Sequence, residues 1–337
     1  MDDAAQLLSR LGLLPLATLP RAEQRARAEA RVRQAFARVQ PPVTIAPIVA
    51  SPRETGARAR VKLRADAQGR LGFHAAGSHA WHAVDLALLA RPEVVTCVQA
   101  VEAWGGARGE VEIRSDGSRA VVVLEAPPAA PLDGLSLDVA LGDRRLCGDP
   151  VLRVGGLRVS PRSFYQVNLE INASIVDAVD AELQRLAPAH LLDLYAGIGN
   201  LSARAVRRGV PATLVEQAPS SVADARVNCP GAKVLCADAG RVRAGEHFAD
   251  VVILDPPRAG APGLLPKLLL TRPRAVVYLS CEPTTLVRDL GPVLAAGYAL
   301  TSVRPWEMFP GTDHVETLVV AERDVRGGVA GAGPRPS

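Results

Sequence analysis

The chain has 337 residues, of which 48% are hydrophobic and 22% are charged, and its formal net charge is +4. This length predicts about two domains, and the apolar content is sufficient for a packed core. Charged residues or prolines interrupt every apolar run, which argues against a membrane span, and the acidic Asp2 and Asp3 argue against a secretory signal. We therefore expect a cytoplasmic protein with no membrane partner.

The five cysteines are scattered along the chain, and no CxxC pair occurs. This pattern argues against a structural zinc or iron–sulfur site and fits a reducing compartment, so we expect no metal site. The small positive net charge permits a nucleic-acid partner without requiring one.

Residues 1–42 are predicted to form a helical N-terminal segment of one or two helices that Pro41 and Pro42 end. Arginines recur along its second half at Arg21, Arg25, Arg27, Arg31, Arg33 and Arg38. They would form either a solvated helix face or a basic face turned toward RNA, and both interpretations stay open.

Residues 43–160 have the hydrophobic period of strands. Residues 58–64 alternate strictly between charged and apolar side chains, which predicts a half-buried strand, and residues 71–74 would return as its partner after a turn. Further strands are predicted at about 108–114, 119–125 and 135–147. This region is therefore predicted to be an antiparallel α+β module.

One face of the strand at 58–64 would carry a row of cations: Arg58, Arg60, Lys62 and Arg64. Side chains on one strand face repeat every ~6.5–7 Å, which is near the spacing of phosphates along RNA. The row is a candidate phosphate track, and it makes the module a candidate for RNA binding. The alternative is a soluble strand face with no ligand.

Residues 161–323 alternate between helical and apolar strand patterns. Residues 169–186 predict a helix, and strands are predicted at 191–195, 212–216, 233–236, 250–254, 275–280, 298–304 and 315–322. This alternation predicts an α/β domain with a parallel, doubly wound, Rossmann-like sheet. The Gly- and Pro-rich residues 324–337 predict a disordered tail.

A cofactor site is predicted where the first of these strands runs into a glycine loop. Gly197 and Gly199 would let the backbone approach a ligand closely, and Glu216, at the end of the next strand, would hydrogen-bond ribose hydroxyls. A dinucleotide and S-adenosylmethionine both fit this plan. Ser202 stands where the dinucleotide fingerprint has its third glycine, which favours the methyl donor. Asp255 would lie beside the same crevice, after the fourth strand.

Cys281 would close the fifth strand on the same rim, with a helix beginning at Pro283. A thiol at a helix N-terminus is expected to have a lowered pKa, because the helix dipole favours the thiolate. Alone, such a cysteine is more often inert core, but beside a methyl donor it becomes a candidate nucleophile. Glu316, at the mouth of the final strand, is a candidate base, or else an exposed acid at a strand end.

Methylation of uracil at C5 would use both groups. Uracil C5 is a poor nucleophile, and addition of a thiolate at C6 converts the ring to an enolate that can accept a methyl group. A base must then remove the C5 proton so that the thiolate can be expelled.

Three segments resemble the RNA uracil-C5 methyltransferase family. Residues 255–260 and 276–281, which read DPPRAG and VVYLSC, resemble one signature, and residues 308–316 resemble a second one. Residues 163–168, which read SFYQVN, resemble the segment that opens the catalytic domain. The resemblance covers about residues 50–322.

The resemblance implies methylation of uridine C5 in RNA, with S-adenosylmethionine as cofactor. It implies that Cys281 is the nucleophile and Glu316 the proton-abstracting base, and Arg258 is a further candidate RNA contact. It also implies a donor site lined by Gln166, Tyr195, Asn200, Glu216, Asp238 and Asp255.

The sequence departs from the family pattern at several positions. Glu282 stands where the family usually has Asn, and a second carboxylate there would raise the pKa of the thiol. Glu307 and Gly311 replace the usual Asp and a bulkier polar residue. The four-cysteine motif and the N-terminal barrel of many rRNA-acting members are missing, so no iron–sulfur cluster is expected.

The middle module resembles the rRNA-acting branch, through residues 58–63, 69–73 and 77–79. We therefore expect a uridine of 23S rRNA as substrate, with tRNA as the alternative and no obligate protein partner. Two other functions stay open: a non-catalytic RNA-binding protein on a decayed methyltransferase fold, and a dehydrogenase or small-molecule methyltransferase on the same sheet.

Overall fold

A computed structural model describes residues 2–74, 80–242 and 249–323. The tail predicted at 324–337 and the resemblance at 77–79 lie outside the described residues. None of the helices in the described part of the chain has the length and apolarity that crossing a bilayer requires.

The first sheet is built from short strands and is covered by one long helix. Its strands are β1 (Arg60–Ala65), β2 (Leu71–His74), β3 (Trp81–His82), β4 (Glu110–Ser115), β5 (Ala120–Leu124), β6 (Asp138–Leu141) and β7 (Arg144–Cys147). Within the described residues their order is β3-β2-β1-β4-β5-β6-β7. Helix α3 (Pro92–Trp104) buries Val94, Val98 and Val101 in the core of this sheet.

Two features of the first sheet differ from the prediction. The strand expected at 135–147 is a hairpin of two strands, β6 and β7. The β5–β6 pair is parallel, so the sheet is not antiparallel throughout. The reason is the long connection between β5 and β6, which returns the chain to the end of the sheet where β5 begins.

The second half of the chain begins with the hairpin β8 (Leu152–Val154) and β9 (Leu157–Val159) and continues as a larger sheet. The strands of this sheet are β10 (Leu191–Leu194), β11 (Ala212–Glu216), β12 (Lys233–Cys236), β13 (Val251–Leu254), β14 (Ala275–Ser280), β15 (Tyr298–Trp306) and β16 (Glu316–Arg323). Their order in the described residues is β12-β11-β10-β13-β14-β16-β15. The predicted strands match these bounds closely, because most of them, such as β10, β13 and β14, are short apolar runs that are buried throughout.

Helices cover both faces of the second sheet, which confirms the predicted Rossmann-like α/β fold. They are α4 (Leu169–Leu186), α5 (Ala203–Arg207), α6 (Pro219–Asn228), α7 (Leu264–Leu269) and α8 (Pro283–Ala295). The first three, with the β8–β9 hairpin, share a core on one face, and α7 and α8 share a core on the other.

The last strand corrects the prediction of a parallel sheet. Strand β16 is inserted between β14 and β15 and runs antiparallel to both. Its first residue therefore lies at the rim where β14 ends, and Thr317 pairs with Ser280. In a parallel arrangement the start of β16 would lie at the opposite edge of the sheet.

The N-terminal segment contains α1 (Asp2–Arg10) and α2 (Arg21–Phe36). Helix α2 packs on the second sheet: Ala28, Val32 and Phe36 are four residues apart, share one helix face, and lie in the same core as α7 and α8. The chain that follows α2 borders the same sheet, where Ile45 and Val49 form parallel bridges to β15.

The two halves of the chain are joined through residues 158–163. Arg114 of β4 is buried and donates hydrogen bonds to the carbonyls of Ser160, Pro161 and Ser163. From the other side, the buried Asp224 of α6 accepts hydrogen bonds from the backbone N–H and the hydroxyl of Ser160 and from the hydroxyl of Ser163. Residues 158–163 are thus held between the cation Arg114 of the first sheet and the anion Asp224 of α6.

Replacement of Asp224 by alanine is expected to lower the free energy of unfolding by about 3 kcal/mol, because buried donors lose their acceptor and Arg158 loses its ion pair. The control is Asp177→Ala, since Asp177 is 66% exposed and pairs with Arg204 on the surface. That control should lose no more than ~0.5 kcal/mol. Urea unfolding of both variants checks this, and equal losses would contradict a structural role for Asp224.

Candidate active site

A cavity of about 680 Å³ lies at the carboxyl rim of the second sheet. Most of the predicted site residues line it: Gln166, Tyr195, Gly197, Asn200, Glu216, Asp255, Arg258, Cys281 and Glu316, with Arg58 from the first half of the chain. Tyr195, Glu216, Asp255 and Cys281 lie at the carboxyl ends of β10, β11, β13 and β14, and Glu316 begins the antiparallel β16 at the same rim. The topology therefore gathers positions that are far apart in the sequence.

The glycine loop holds its backbone in an unusual conformation. Tyr195, directly after β10, has φ of 61°, a left-handed value that costs a residue with a Cβ ~1–2 kcal/mol. Gly197 has φ of 55°, and a Cβ there would face open space. The Glu216 carboxylate accepts hydrogen bonds from the backbone N–H groups of Gly197 (3.0 Å) and Ala218 (2.7 Å). The acid is thereby fixed at the end of β11.

Two predicted cofactor residues do not line the cavity. A Cβ on Gly199 would lie 2.4 Å from the Cys229 sulfur, so packing alone requires a glycine at this position. Asp238 is exposed and accepts a hydrogen bond from the backbone N–H of Gly240. Burial raises the pKa of Tyr195, and the charge of Asp238 adds to this effect. The cofactor roles of Gly199 and Asp238 stay predictions.

Sequence reasoning missed Asn172 and Phe164. Asn172 is buried on α4, and its side-chain amide exchanges two hydrogen bonds with that of Asn200 (2.8 and 3.2 Å). A polar residue on the apolar face of a predicted helix was the available signal. Phe164 lines the cavity although it is 51% exposed, and the Arg60 guanidinium lies 4.9 Å from its ring centroid.

Besides Glu216, three carboxyl groups whose pKa is raised line the cavity: Asp193, Asp255 and Glu316. Burial raises the pKa of Asp193 to about 7, burial and Asp193 raise the pKa of Asp255, and burial and Asp255 raise the pKa of Glu316. One oxygen each of Asp193 and Glu316 has no hydrogen-bond partner among the described residues. Clustered acids of this kind favour protonation or a bound cation.

Cys281 and Glu316 both line the cavity at this rim, and their assigned roles stay predictions. Cys281 follows β14 and is half-buried, whereas Glu316 begins β16 and is 3% exposed, so Glu316 is not an exposed acid at a strand end. The prediction that the dipole of α8 lowers the pKa of the Cys281 thiol is wrong. Burial and the charge of Glu316 raise the pKa of Cys281 to about 11, although Arg258 acts in the opposite direction.

Glu282, which follows Cys281, uses both of its carboxylate oxygens in other contacts. One oxygen caps α8 by accepting a hydrogen bond from the backbone N–H of Thr284 (3.4 Å), and the other accepts a bond from Arg31 of α2 at 2.5 Å. The carboxylate whose charge raises the pKa of Cys281 most is Glu316.

The predicted row of cations is not uniform. Strand β1 begins at Arg60 rather than at Arg58, and Arg58 donates a hydrogen bond to the Leu13 carbonyl (3.0 Å) while burial lowers its pKa to about 10. Lys62 pairs with Glu110 and Glu112 of β4 (3.1 and 3.6 Å). Arg64 is exposed. Arg60 and Arg64 therefore stay the strongest candidates for phosphate contacts.

The cysteines of the described residues are all free, and no three His, Cys, Asp or Glu side chains in that part of the chain are grouped as metal ligands. The exposed Cys236 lies at the end of β12 and is not among the residues that line the cavity.

A solved structure supports the fold. The tRNA (uracil-54, C5)-methyltransferase of Pyrococcus abyssi, in complex with S-adenosyl-L-homocysteine, is similar to this chain with a TM-score of 0.72 and 21% identity. The similarity covers 91% of this chain and 84% of that one.

Curated relatives are similar in sequence. The 23S rRNA (uracil(1939)-C(5))-methyltransferase RlmD of Edwardsiella ictaluri is 36% identical over 203 residues, which is 56% of this chain and 46% of that protein. The chain thus spans about half or less of several such relatives. RlmD of Salmonella choleraesuis is 31% identical over 301 residues, which is 79% of this chain and 70% of that protein.

Two further similarities agree with these. An uncharacterized RNA methyltransferase of Streptomyces avermitilis is 30% identical over 80% of this chain and 68% of its own length. The profile of the tRNA (Uracil-5-)-methyltransferase family matches residues 239–324. With this identity and coverage, the chain belongs to the RNA uracil-C5 methyltransferase family.

Proposed function

We propose that this protein transfers a methyl group from S-adenosylmethionine to C5 of a uridine in RNA, with 23S rRNA favoured over tRNA. The observation that carries the proposal is the meeting of Cys281 and Glu316 at one rim of the cavity. The preference for rRNA rests on the names of the RlmD relatives and on the likeness of the middle module to that branch. An rRNA substrate implies a cytoplasmic location.

The cavity suits the methyl donor in size and charge. Its volume, about 680 Å³, lies within the range of ~300–1,000 Å³ that is usual for ligand sites. Glu216, at the end of β11, would accept hydrogen bonds from the ribose hydroxyls. The rest of the donor site would be lined by Gln166, Tyr195, Gly197, Asn200 and Asp255. When bound, S-adenosylmethionine supplies an electrophilic methyl group on a positively charged sulfur. The unpartnered oxygens of Asp193 and Glu316 fit a cationic ligand.

The remaining chemistry belongs to the two residues at the rim. The Cys281 sulfur, as thiolate, forms a bond to C6 of uracil and makes C5 nucleophilic. After C5 has gained its methyl group, Glu316 takes the C5 proton, the C5–C6 double bond re-forms, and the bond between sulfur and C6 breaks. A carboxylate whose pKa is raised is a stronger base than an ordinary one, which suits this step near neutral pH.

The RNA must bring an unstacked uridine to the buried Glu316, which requires the base to leave its stack. Arg258 lies at the mouth and approaches the His314 ring nitrogen at 3.1 Å. Arg60 and Arg64 would contact the phosphates of the flanking strand.

Replacement of Cys281 by alanine should abolish methyl transfer to RNA, with a loss of at least ~10⁴-fold, because the nucleophile is absent. Glu316→Gln should instead accumulate a methylated covalent RNA adduct, because the C5 proton stays in place. Transfer of labelled methyl groups and denaturing gels measure both effects, and Cys236→Ala is the matched control. Full activity of Cys281→Ala, or rapid product release by Glu316→Gln, would contradict the assigned roles.

The free protein should show a high thiol pKa at Cys281. Its alkylation rate, followed by mass spectrometry of the Cys281 peptide, should rise with a midpoint near pH 11. Glu316→Gln should lower the midpoint by removing a negative neighbour, and Arg258→Met should raise it by removing a cation. Glu182→Gln, on the surface of α4, should leave it unchanged. A midpoint at or below pH 9 in the free protein would contradict this electrostatic description.

RNA binding should depend on Arg60 and Arg64. The double variant Arg60→Glu/Arg64→Glu should bind RNA more weakly, and the slope of log K against log salt should fall by ~2, because each lost phosphate contact removes about one unit. Arg204→Glu, on the exposed surface of α5, is the control. An unchanged slope in the double variant would support the alternative interpretation, in which the exposed face of β1 binds no ligand.

A further inference from the structure

Helix α2 is bonded to both of the turns that carry the reacting residues. One guanidinium nitrogen of Arg31 lies 2.5 Å from the Glu282 carboxylate, next to Cys281. The other donates a hydrogen bond to the carbonyl of Asp313 at 2.7 Å, three residues before Glu316. One side chain therefore joins the end of β14 to the entry of β16.

Further contacts fix the N-terminal segment to the turn before β16. Arg21 pairs with Glu307 at 2.7 Å. The buried Gln24 side chain accepts a hydrogen bond from the backbone N–H of Gly311 at 2.9 Å, and the Gly311 carbonyl accepts one from Leu16 at 2.8 Å. Gln24 lies on the same helix face as Ala28 and Val32, which pack on the second sheet, so the packed face of α2 supports this turn.

The charge of Glu282 makes the Arg31 contact important for the chemistry. A carboxylate adjacent in sequence to a thiol disfavours the thiolate unless a cation neutralises it. The Glu282 side chain is only 18% exposed, so water screens its charge incompletely. Arg31, 32% exposed, is the cation that pairs with it.

We propose that Arg31 is a positioning residue for the reaction, which neutralises Glu282 and holds the Cys281 turn against the Glu316 turn. This inference rests on the proposed function of the same site. It also decides between the two interpretations of the arginines in α2: Arg31 faces the active-site turns rather than solvent or RNA. The open question about Glu282 is thereby answered, since its charge is paired.

The test compares Arg31→Met, Glu282→Asn and the double variant, with Arg27→Met as a matched control. Arg27 lies one turn earlier on α2, is 52% exposed and pairs with Glu23. Asparagine is neutral and caps a helix well, so Glu282→Asn keeps the N-terminus of α8 satisfied. The readout is the pH dependence of Cys281 alkylation, followed by peptide mass spectrometry without donor or RNA.

Arg31→Met should raise the midpoint of Cys281 alkylation and slow the reaction at pH 8 by ~3–10-fold, because Glu282 is then unpaired. The double variant should return to the rate of Glu282→Asn, which also shows that the fold is intact. Arg27→Met should behave as the wild type. In methyl transfer, Arg31→Met should lower kcat while leaving the binding of S-adenosyl-L-homocysteine unchanged.

Two results would overturn the proposal. One is an alkylation profile of Arg31→Met that matches the wild type. The other is a double variant as slow as Arg31→Met. A weakened, less salt-dependent RNA affinity in Arg31→Met, with normal alkylation, would instead identify Arg31 as a phosphate contact. Because alkylation needs neither donor nor RNA, failure of this proposal is separable from absence of methyl transfer in the wild type.

Discussion

The antiparallel insertion of β16 beside β14 is the constraint on which the site depends. The register that pairs Ser280 with Thr317 puts the last residue of one strand and the first of the other at the same rim. On its other side, Glu316 pairs with the buried Trp306 of β15. A slip of one residue would turn the Glu316 carboxyl to the opposite face of the sheet, where it could not share a cavity with Cys281.

The electrostatics of the rim follow from this placement. Burial and the neighbouring charge of Asp255 raise the pKa of Glu316, and burial and the charge of Glu316 raise the pKa of the Cys281 thiol. The raised pKa favours the protonated form of Cys281, the proposed nucleophile, in the free protein. A cation that entered the cavity would favour the ionised forms of all three groups, which would link activation of the thiol to occupancy of the cavity.

The carboxylate of Glu282, next to Cys281, is one reason to consider a decayed, non-catalytic protein; the other is the missing N-terminal barrel. The ion pair between Glu282 and Arg31 weakens the first reason, because the charge is neutralised and the side chain also caps α8. Helix α2 is thereby part of the support of the active site. Its arginines are not equivalent, since Arg27 and Arg33 pair only with acids one turn away, whereas Arg31 bonds to both active-site turns.

Sequence reasoning succeeded where a property is local. The apolar runs of the second sheet and the helix at 169–186 were predicted within about two residues, because periodicity reports burial directly. It failed where the outcome depends on connections or distant partners. Alternation of side chains with a period of two predicts a strand but not its direction, so it could not predict the parallel β5–β6 pair or the antiparallel β16. The Arg31–Glu282 pair spans 251 residues, and burial reversed the expected shift at Cys281.

The central claim is that Cys281 and Glu316 act in successive steps on one uracil ring. RNA in which 5-fluorouridine replaces uridine tests it most directly, because fluorine at C5 cannot be removed as a proton. Incubated with S-adenosylmethionine, the wild-type protein should form a stable adduct, and mass spectrometry should locate one methylated fluorouridine on the Cys281 sulfur. Methyl transfer to ordinary RNA without any adduct on fluorinated RNA, or an adduct on another residue, would contradict the account.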